Sequence, residues 1–84
     1  MDELRRQLHE AIRQVFDDDA MQLSDETTAA EVEGWDSLMH VSLIIALEKR
    51  FGIRFATAEI SALRDEGANL GTMLGLIRRK LTGV

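Results

Sequence analysis

The residues of this 84-residue chain that are best suited to chemistry stand in one run, Gly34-Trp35-Asp36-Ser37-Leu38. The run ends an acidic stretch and opens the most hydrophobic segment with helical spacing. Ser37 therefore falls at or beside a helix N-terminus, where unpaired backbone N–H groups and the positive dipole end gather. A hydroxyl in that place suits a phosphate ester. Asp36, just before it, is a favoured helix cap. An Asp-Ser pair alone is an ordinary cap, so its weight depends on what surrounds it.

Two other chemical readings fail on spacing. Asp36, Ser37 and His40 invite a hydrolase, but His40 lies one turn along the same helix, and a nucleophile needs an aligned base and an oxyanion site. His40 reads instead as a solvated helix residue. His9, among charged residues on the first helix, reads the same way. Asp17-Asp18-Asp19 invites calcium, but counted from Asp17 as a helix-loop-helix calcium loop, position six is Gln22 rather than Gly, and position twelve is Thr28 rather than Glu. The expected metal ligand set is none.

The elements that must position Ser37 follow from periodicity. Leu4, Leu8, Ile12, Val15 and Phe16 recur at steps of three and four, which predicts a first helix from about Asp2 to Phe16. A long connection, 17–36, follows with eight acids and no Lys or Arg; a loop of that length in a small domain calls for a functional explanation. Met21, Leu23, Val32 and Trp35 are expected to pin it to the core. The second helix runs from Ser37 to Arg50 or Phe51, and Gly52 suits its left-handed C-terminal residue. Leu43, Leu47 and Phe51 form its core line, which leaves Val41 and Ile45 on another face. Ile53-Arg54-Phe55 is an extended link. Thr57 caps a short third helix with Ile60 and Leu63, and Asp65-Glu66-Gly67-Ala68 is loop. Asn69 caps a last helix, Leu70 to Leu81, whose core line is Leu70, Leu74, Ile77 and Leu81. Gly71 and Gly75 weaken that helix, and Arg78, Arg79 and Lys80 suit its negative end. The fold class is all-α: a small bundle of three main helices plus one short helix, with a long loop between helices one and two.

Length and composition set bounds. Eighty-four residues make one domain, 1–84, with one core and no room for a walled active site. A hydrophobic content of 45% argues against disorder. The absence of cysteine excludes disulfides and thiolate metal sites and fits a cytoplasmic protein. No apolar run reaches the length of a membrane span, and the N-terminus is not a targeting peptide. A net charge of −5 disfavours nucleic acid as a partner. It also suits steering toward basic proteins.

Trp35-Asp36-Ser37-Leu38 resembles the phosphopantetheine attachment motif of the acyl carrier protein family. The downstream run Leu43-Ile44-Ile45-Ala46-Leu47-Glu48-Lys49-Arg50-Phe51-Gly52-Ile53 is similar to the end of that family's second helix. The resemblance covers residues of about 2 to 82. It implies that Ser37 accepts 4'-phosphopantetheine from coenzyme A through a separate phosphopantetheinyl transferase that uses magnesium. It implies that Asp36 is the motif acid offered to the transferase's metal site. Leu38, Val41 and Ile45 fall where such carriers contact partner enzymes; core packing is the alternative for these three. The implied protein is no enzyme but a monomeric carrier. It holds an acyl group as a thioester and presents it to acyl-loading and acyl-transfer enzymes of fatty-acid, polyketide or other specialised biosynthesis. A flexible tether raises the cargo's effective concentration at each docked partner, and brief docking suits a small polar interface.

The sequence departs from many fatty-acid carriers in two places. Met39, Ser42, Lys49 and Arg50 stand where acids are common, which leaves Glu48 as the one acid of the second helix. Trp35 replaces a small residue. Carriers of this kind resemble stand-alone members of specialised clusters, whose cargo is a hydroxy acid, an amino acid or a malonyl-type unit. An unmodified helical interaction module is the rival from another class, and modification of Ser37 separates the two.

Overall fold

Asp2 starts the first helix without belonging to it. Its carboxylate Oδ1 accepts the N–H groups of Leu4 at 3.1 Å and Arg5 at 3.3 Å, so that α1 spans Glu3–Phe16. These and the following contacts come from a computed structural model that describes residues 2–65 and 67–82. Leu8, Ala11 and Ile12 face inward from α1. Asp17 ends the helix in the left-handed region at φ 53°, and the next N–H, on Asp18, reaches back to the carbonyl of Arg13 at 2.9 Å.

The connection from 17 to 36 is ordered by partners on two helices. Arg5 grips the Asp25 carboxylate through Nε at 2.8 Å and Nη2 at 2.9 Å, and Arg13 Nε donates to the Met21 carbonyl at 2.9 Å. A short 3-10 helix at Ala29–Glu31 interrupts the loop; no periodicity in the sequence announced it. Met21, Leu23, Val32 and Trp35 do pack against the core.

The second helix, α2, spans Ser37–Phe51, and α3 spans Thr57–Ala62. The fourth, α4, spans Leu70–Leu81. With α3 as the short member, the expected all-α bundle of three main helices plus one is present, and no strand occurs among the described residues. Gly52 closes α2 at φ 67° and donates its N–H to the Glu48 carbonyl at 2.9 Å. The Glu48 carboxylate turns inward to accept the Phe55 N–H at 2.9 Å. The one acid of α2 thus holds the α2–α3 link in place.

The expectations for the ends and faces need two corrections. Thr57 is the first residue of α3, not its cap; Ala56 holds the cap position, and Glu59 Oε1 accepts the Ala56 N–H at 2.8 Å. Leu81 is 46% exposed rather than core, because it closes the last turn of α4 beyond the reach of α1. Met73 takes a core place instead. Phe51 is half-buried and packs against the core, as its place on the Leu43–Leu47 line predicts. Of the expected loop Asp65-Glu66-Gly67-Ala68, Glu66 lies outside the described residues.

Packing centres on α1, which lies against α2 and, less extensively, against α4. Leu8, Ile12, Leu43, Leu47 and Ile77 are fully buried at the junction. Each contributes about 1.5–3 kcal/mol of apolar transfer free energy. Exposed pairs such as Arg50–Glu10 at 2.7 Å decorate the seam and add little. Asn69 caps α4 as expected, accepting the Thr72 N–H at 2.9 Å. Leu70 and Gly71 donate their N–H groups to the carbonyls of Thr27 and Asp25 at 2.9 and 2.8 Å. This docks the long loop onto the start of α4. A Cβ at position 71 would stand 3.2 Å from the Asp25 carbonyl oxygen, so the glycine that weakens α4 is what permits the loop's approach.

Candidate functional site

The acidic loop delivers Ser37 to the surface as the first residue of α2. Asp36 is the N-cap, with Oδ1 accepting the Met39 N–H at 2.9 Å and its carbonyl accepting the His40 N–H at 2.9 Å. Both Asp36 and Ser37 are exposed. The cap expectation therefore falls on Asp36 alone, which leaves the Ser37 hydroxyl free for another role.

What holds Ser37 in place is buried beneath it. Trp35, two residues before, is 8% exposed and packs its ring on Phe16 at a centroid distance of 5.4 Å. Its indole Nε1–H donates to His40 Nδ1 at 3.1 Å. His40 Nε2 lies 2.8 Å from the Ile60 carbonyl. The indole can only donate and the carbonyl can only accept, so His40 carries its proton on Nε2. Loop, α2 and α3 are thereby joined by one hydrogen-bonded chain that brackets Ser37 at positions 35 and 40.

This overturns the expectation that His40 is solvated: it is 2% exposed. Helical periodicity places a side chain on a face but does not say whether a neighbour, here Trp35 together with α3, covers that face. Burial holds the His40 imidazole below its ordinary range, the Ile60 carbonyl opposes this, and the charge of Arg64 adds to it. His40 is neutral at pH 7, and both its nitrogens are occupied. It cannot act as a base for Ser37, and the hydrolase reading fails on geometry. His9 is also not solvated as expected. It is half-buried, its Nε2 is enclosed without a hydrogen-bond partner, and burial lowers its affinity for a proton.

The residue that sequence reasoning missed is Arg64. It follows α3, and its Nη1 donates to Ser37 Oγ at 2.7 Å. No motif marks it, because it lies 27 residues away from Ser37 in sequence. The Ser37 oxygen thus sits between the first turn of α2 and a guanidinium. A phosphate ester formed there meets free N–H groups, a favourable dipole and a fixed cation. On this geometry the residues present fit a phosphate-linked group.

Leu38, Val41 and Ile45 lie along the outward face of α2 and are 75%, 48% and 46% exposed. Core packing as the account of these three residues is excluded. Beside Arg64, a cleft of about 200 Å³ runs between the 3-10 helix and the α3–α4 loop, lined by Thr28, Ala29, Ala30, Arg64, Asp65, Gly67 and Ala68. Among the described residues no cluster of His, Asp or Glu could hold a metal ion. No helix among them is long and apolar enough to cross a membrane.

Comparison with known proteins bears directly on this site. Residues 6–77 match the family described as phosphopantetheine attachment site. The polyketide-8 synthase acyl carrier protein 2 of Streptomyces avermitilis is 34% identical over 59 residues, 70% of this chain and 68% of the relative. The solution structure of a holo acyl carrier protein from Geobacter metallireducens superposes with a TM-score of 0.84 at 38% identity. It covers 96% of this chain and 88% of the other.

Proposed function

The chain belongs to the acyl carrier protein family, whose prosthetic group is 4'-phosphopantetheine, and we propose that Ser37 is where this chain carries it. The observation that supports this reading is the exposed Ser37 hydroxyl at the first position of α2, directly behind the capping Asp36 and within hydrogen-bond reach of Arg64. In loading, Ser37 Oγ forms a bond to the phosphorus of coenzyme A that bears the pantetheine. The anhydride P–O bond breaks, the adenosine bisphosphate half departs, and the hydroxyl proton passes to a base of the transferase. Asp36 stays exposed beside the reacting oxygen, in reach of the transferase's magnesium. The arm supplies a terminal thiol on a flexible tether, so an acyl thioester can reach several partner sites in turn.

The chain acts as one carrier domain over 1–84, a monomer of the cytoplasm and not an enzyme. Its partners are a phosphopantetheinyl transferase and the enzymes that load and remove the acyl group. Leu38, Val41 and Ile45 form the surface those enzymes meet, and their exposure supports this. A role in polyketide or other specialised biosynthesis is favoured over fatty-acid synthesis. The relative from Streptomyces avermitilis is a polyketide carrier by name, and the one acid of α2, Glu48, is turned to the Phe55 N–H. The outward face of α2 consequently offers one partly buried carboxylate, already bound to the backbone, in place of an acid-rich surface for basic docking patches.

Intact mass after incubation with coenzyme A, magnesium and a broad-specificity transferase tests the attachment. The expected result is a gain of one phosphopantetheine by the wild type and none by Ser37→Ala. Loading of the alanine variant would sink the assignment of Ser37. Failure of the wild type with several transferases would leave an unmodified interaction module as the better reading.

A further inference from the structure

Arg64 is the cation that the fold brings to the Ser37 oxygen. Its Nη1–Oγ distance is 2.7 Å, and the same side chain forms one wall of the cleft lined by Ala29, Ala30, Gly67 and Ala68. A lone serine hydroxyl offers a guanidinium one acceptor. A phosphodiester on that hydroxyl offers two non-bridging oxygens that share one negative charge, two bonds beyond Oγ, and these match the planar fork of an arginine. With the phosphate both partners are charged and two parallel bonds can form, whereas the bare hydroxyl gives the guanidinium one neutral acceptor. Arg64 is therefore better matched to the modified serine than to the bare one.

We propose that Arg64 is a positioning residue for the prosthetic arm. It pairs with the phosphodiester on Ser37 and so directs the first segment of the arm into the cleft between the 3-10 helix and the α3–α4 loop. The chemistry of that segment fits the walls. Next to the phosphate the arm carries a carbon bearing two methyl groups, and Ala29, Ala30 and Ala68 supply apolar contacts there. The cleft volume of about 200 Å³ is smaller than pockets that enclose a whole drug-sized ligand, about 300–1,000 Å³. It holds the phosphate-proximal segment only, and the thiol end remains outside for partner enzymes. The Trp35–His40–Ile60 chain keeps this geometry rigid, because it ties α3, the element that leads into Arg64, to the turn that carries Ser37.

This inference rests on Ser37 as the attachment point, and its test separates the two. Holo protein is prepared from wild type, Arg64→Gln and Arg64→Lys, each verified by intact mass; a wild type that takes no arm, or a Ser37→Ala variant that does, is a failure of Ser37 and not of Arg64. Phosphorus NMR of the loaded proteins then reads the phosphodiester directly. The expected result is a resonance in Arg64→Gln that moves toward the position in a loaded, unstructured peptide, with Arg64→Lys between the two. Wild type alone is expected to show nuclear Overhauser contacts from the arm's geminal methyls to the methyls of Ala29 and Ala30, and Arg64→Gln to lose them. An unchanged phosphorus resonance in Arg64→Gln overturns the phosphate contact. A moved resonance without methyl contacts in the wild type overturns the seating in the cleft.

Discussion

Replacing His40 with leucine tests how Ser37 is held. Leucine keeps an apolar side chain of similar bulk, so the cost falls on the two groups it orphans. The Trp35 indole N–H, in a side chain 8% exposed, loses its acceptor at 3.1 Å. The half-buried Ile60 carbonyl loses its donor at 2.8 Å. A buried unsatisfied group costs about 1–3 kcal/mol, and the carbonyl lies at the low end because water can reach it, so the sum is about 2–4 kcal/mol. For 84 residues a total stability of roughly 4–12 kcal/mol is expected, so the loss is a large share of it. Urea unfolding followed by far-ultraviolet circular dichroism reads it. With a slope of about 1.5 kcal/mol/M the midpoint falls by roughly 1.3–2.7 M. Trp35→Phe in the same background adds less than it does in wild type, by about 1 kcal/mol, because the shared bond is already gone. A midpoint shift no larger than that of Ser42→Ala, a change at an exposed position of the same helix, would refute the buried chain.

Four further outcomes follow from the structure. The neutral, buried His40 makes stability depend on pH: the unfolded imidazole takes up a proton below its ordinary value of 6.5 while the folded one resists, largely through burial. The unfolded state then binds more protons, so thermal stability is fully present above about pH 6.5 and declines as the pH falls below it. His9 acts in the same direction, so His40→Leu makes the decline shallower without abolishing it, and an equally steep decline would refute this assignment. Asp36→Ala removes the α2 cap and costs about 1 kcal/mol in a denaturant melt, whereas Val41→Glu and Ile45→Glu, at side chains nearly half exposed, change stability by under about 0.5 kcal/mol yet slow acyl transfer to partner enzymes; unchanged transfer by both would refute their role as a docking surface. Gly52→Ala places a Cβ at φ 67° with open space around it, so its cost of about 1 kcal/mol in the same melt is purely conformational.

The sequence alone determined which segments are helices and where the candidate serine stands. Leu8 and Ile12, Leu43 and Leu47, Leu70, Leu74 and Ile77 repeat at steps of three and four, and all are buried. Asp2, Asp36, Gly52 and Asn69 mark helix ends by local chemistry that needs no distant partner. Asp36 at the cap and the separate face of Val41 and Ile45 were legible for the same reason, because each follows from position on a single helix, whereas Leu38 as a contact and the role of Ser37 came from the resemblance to the carrier family. Tertiary structure decided what depends on two segments meeting. His40 looked solvated along its own helix and became buried when Trp35 and Ile60 closed over it. The docking of Asp25 and Thr27 on the start of α4 depends on contacts that no local pattern encodes, whereas the 3-10 helix at Ala29–Glu31 carries a local mark that periodicity misses, the capping box of Thr28 and Glu31. Arg64 reaches Ser37 only in the folded chain, where the His40–Ile60 hydrogen bond holds α3 beside the first turns of α2. Helix formation is governed by neighbours a few residues apart, whereas a site that joins residues 37 and 64 exists only once the core has set the angle between the elements that carry them.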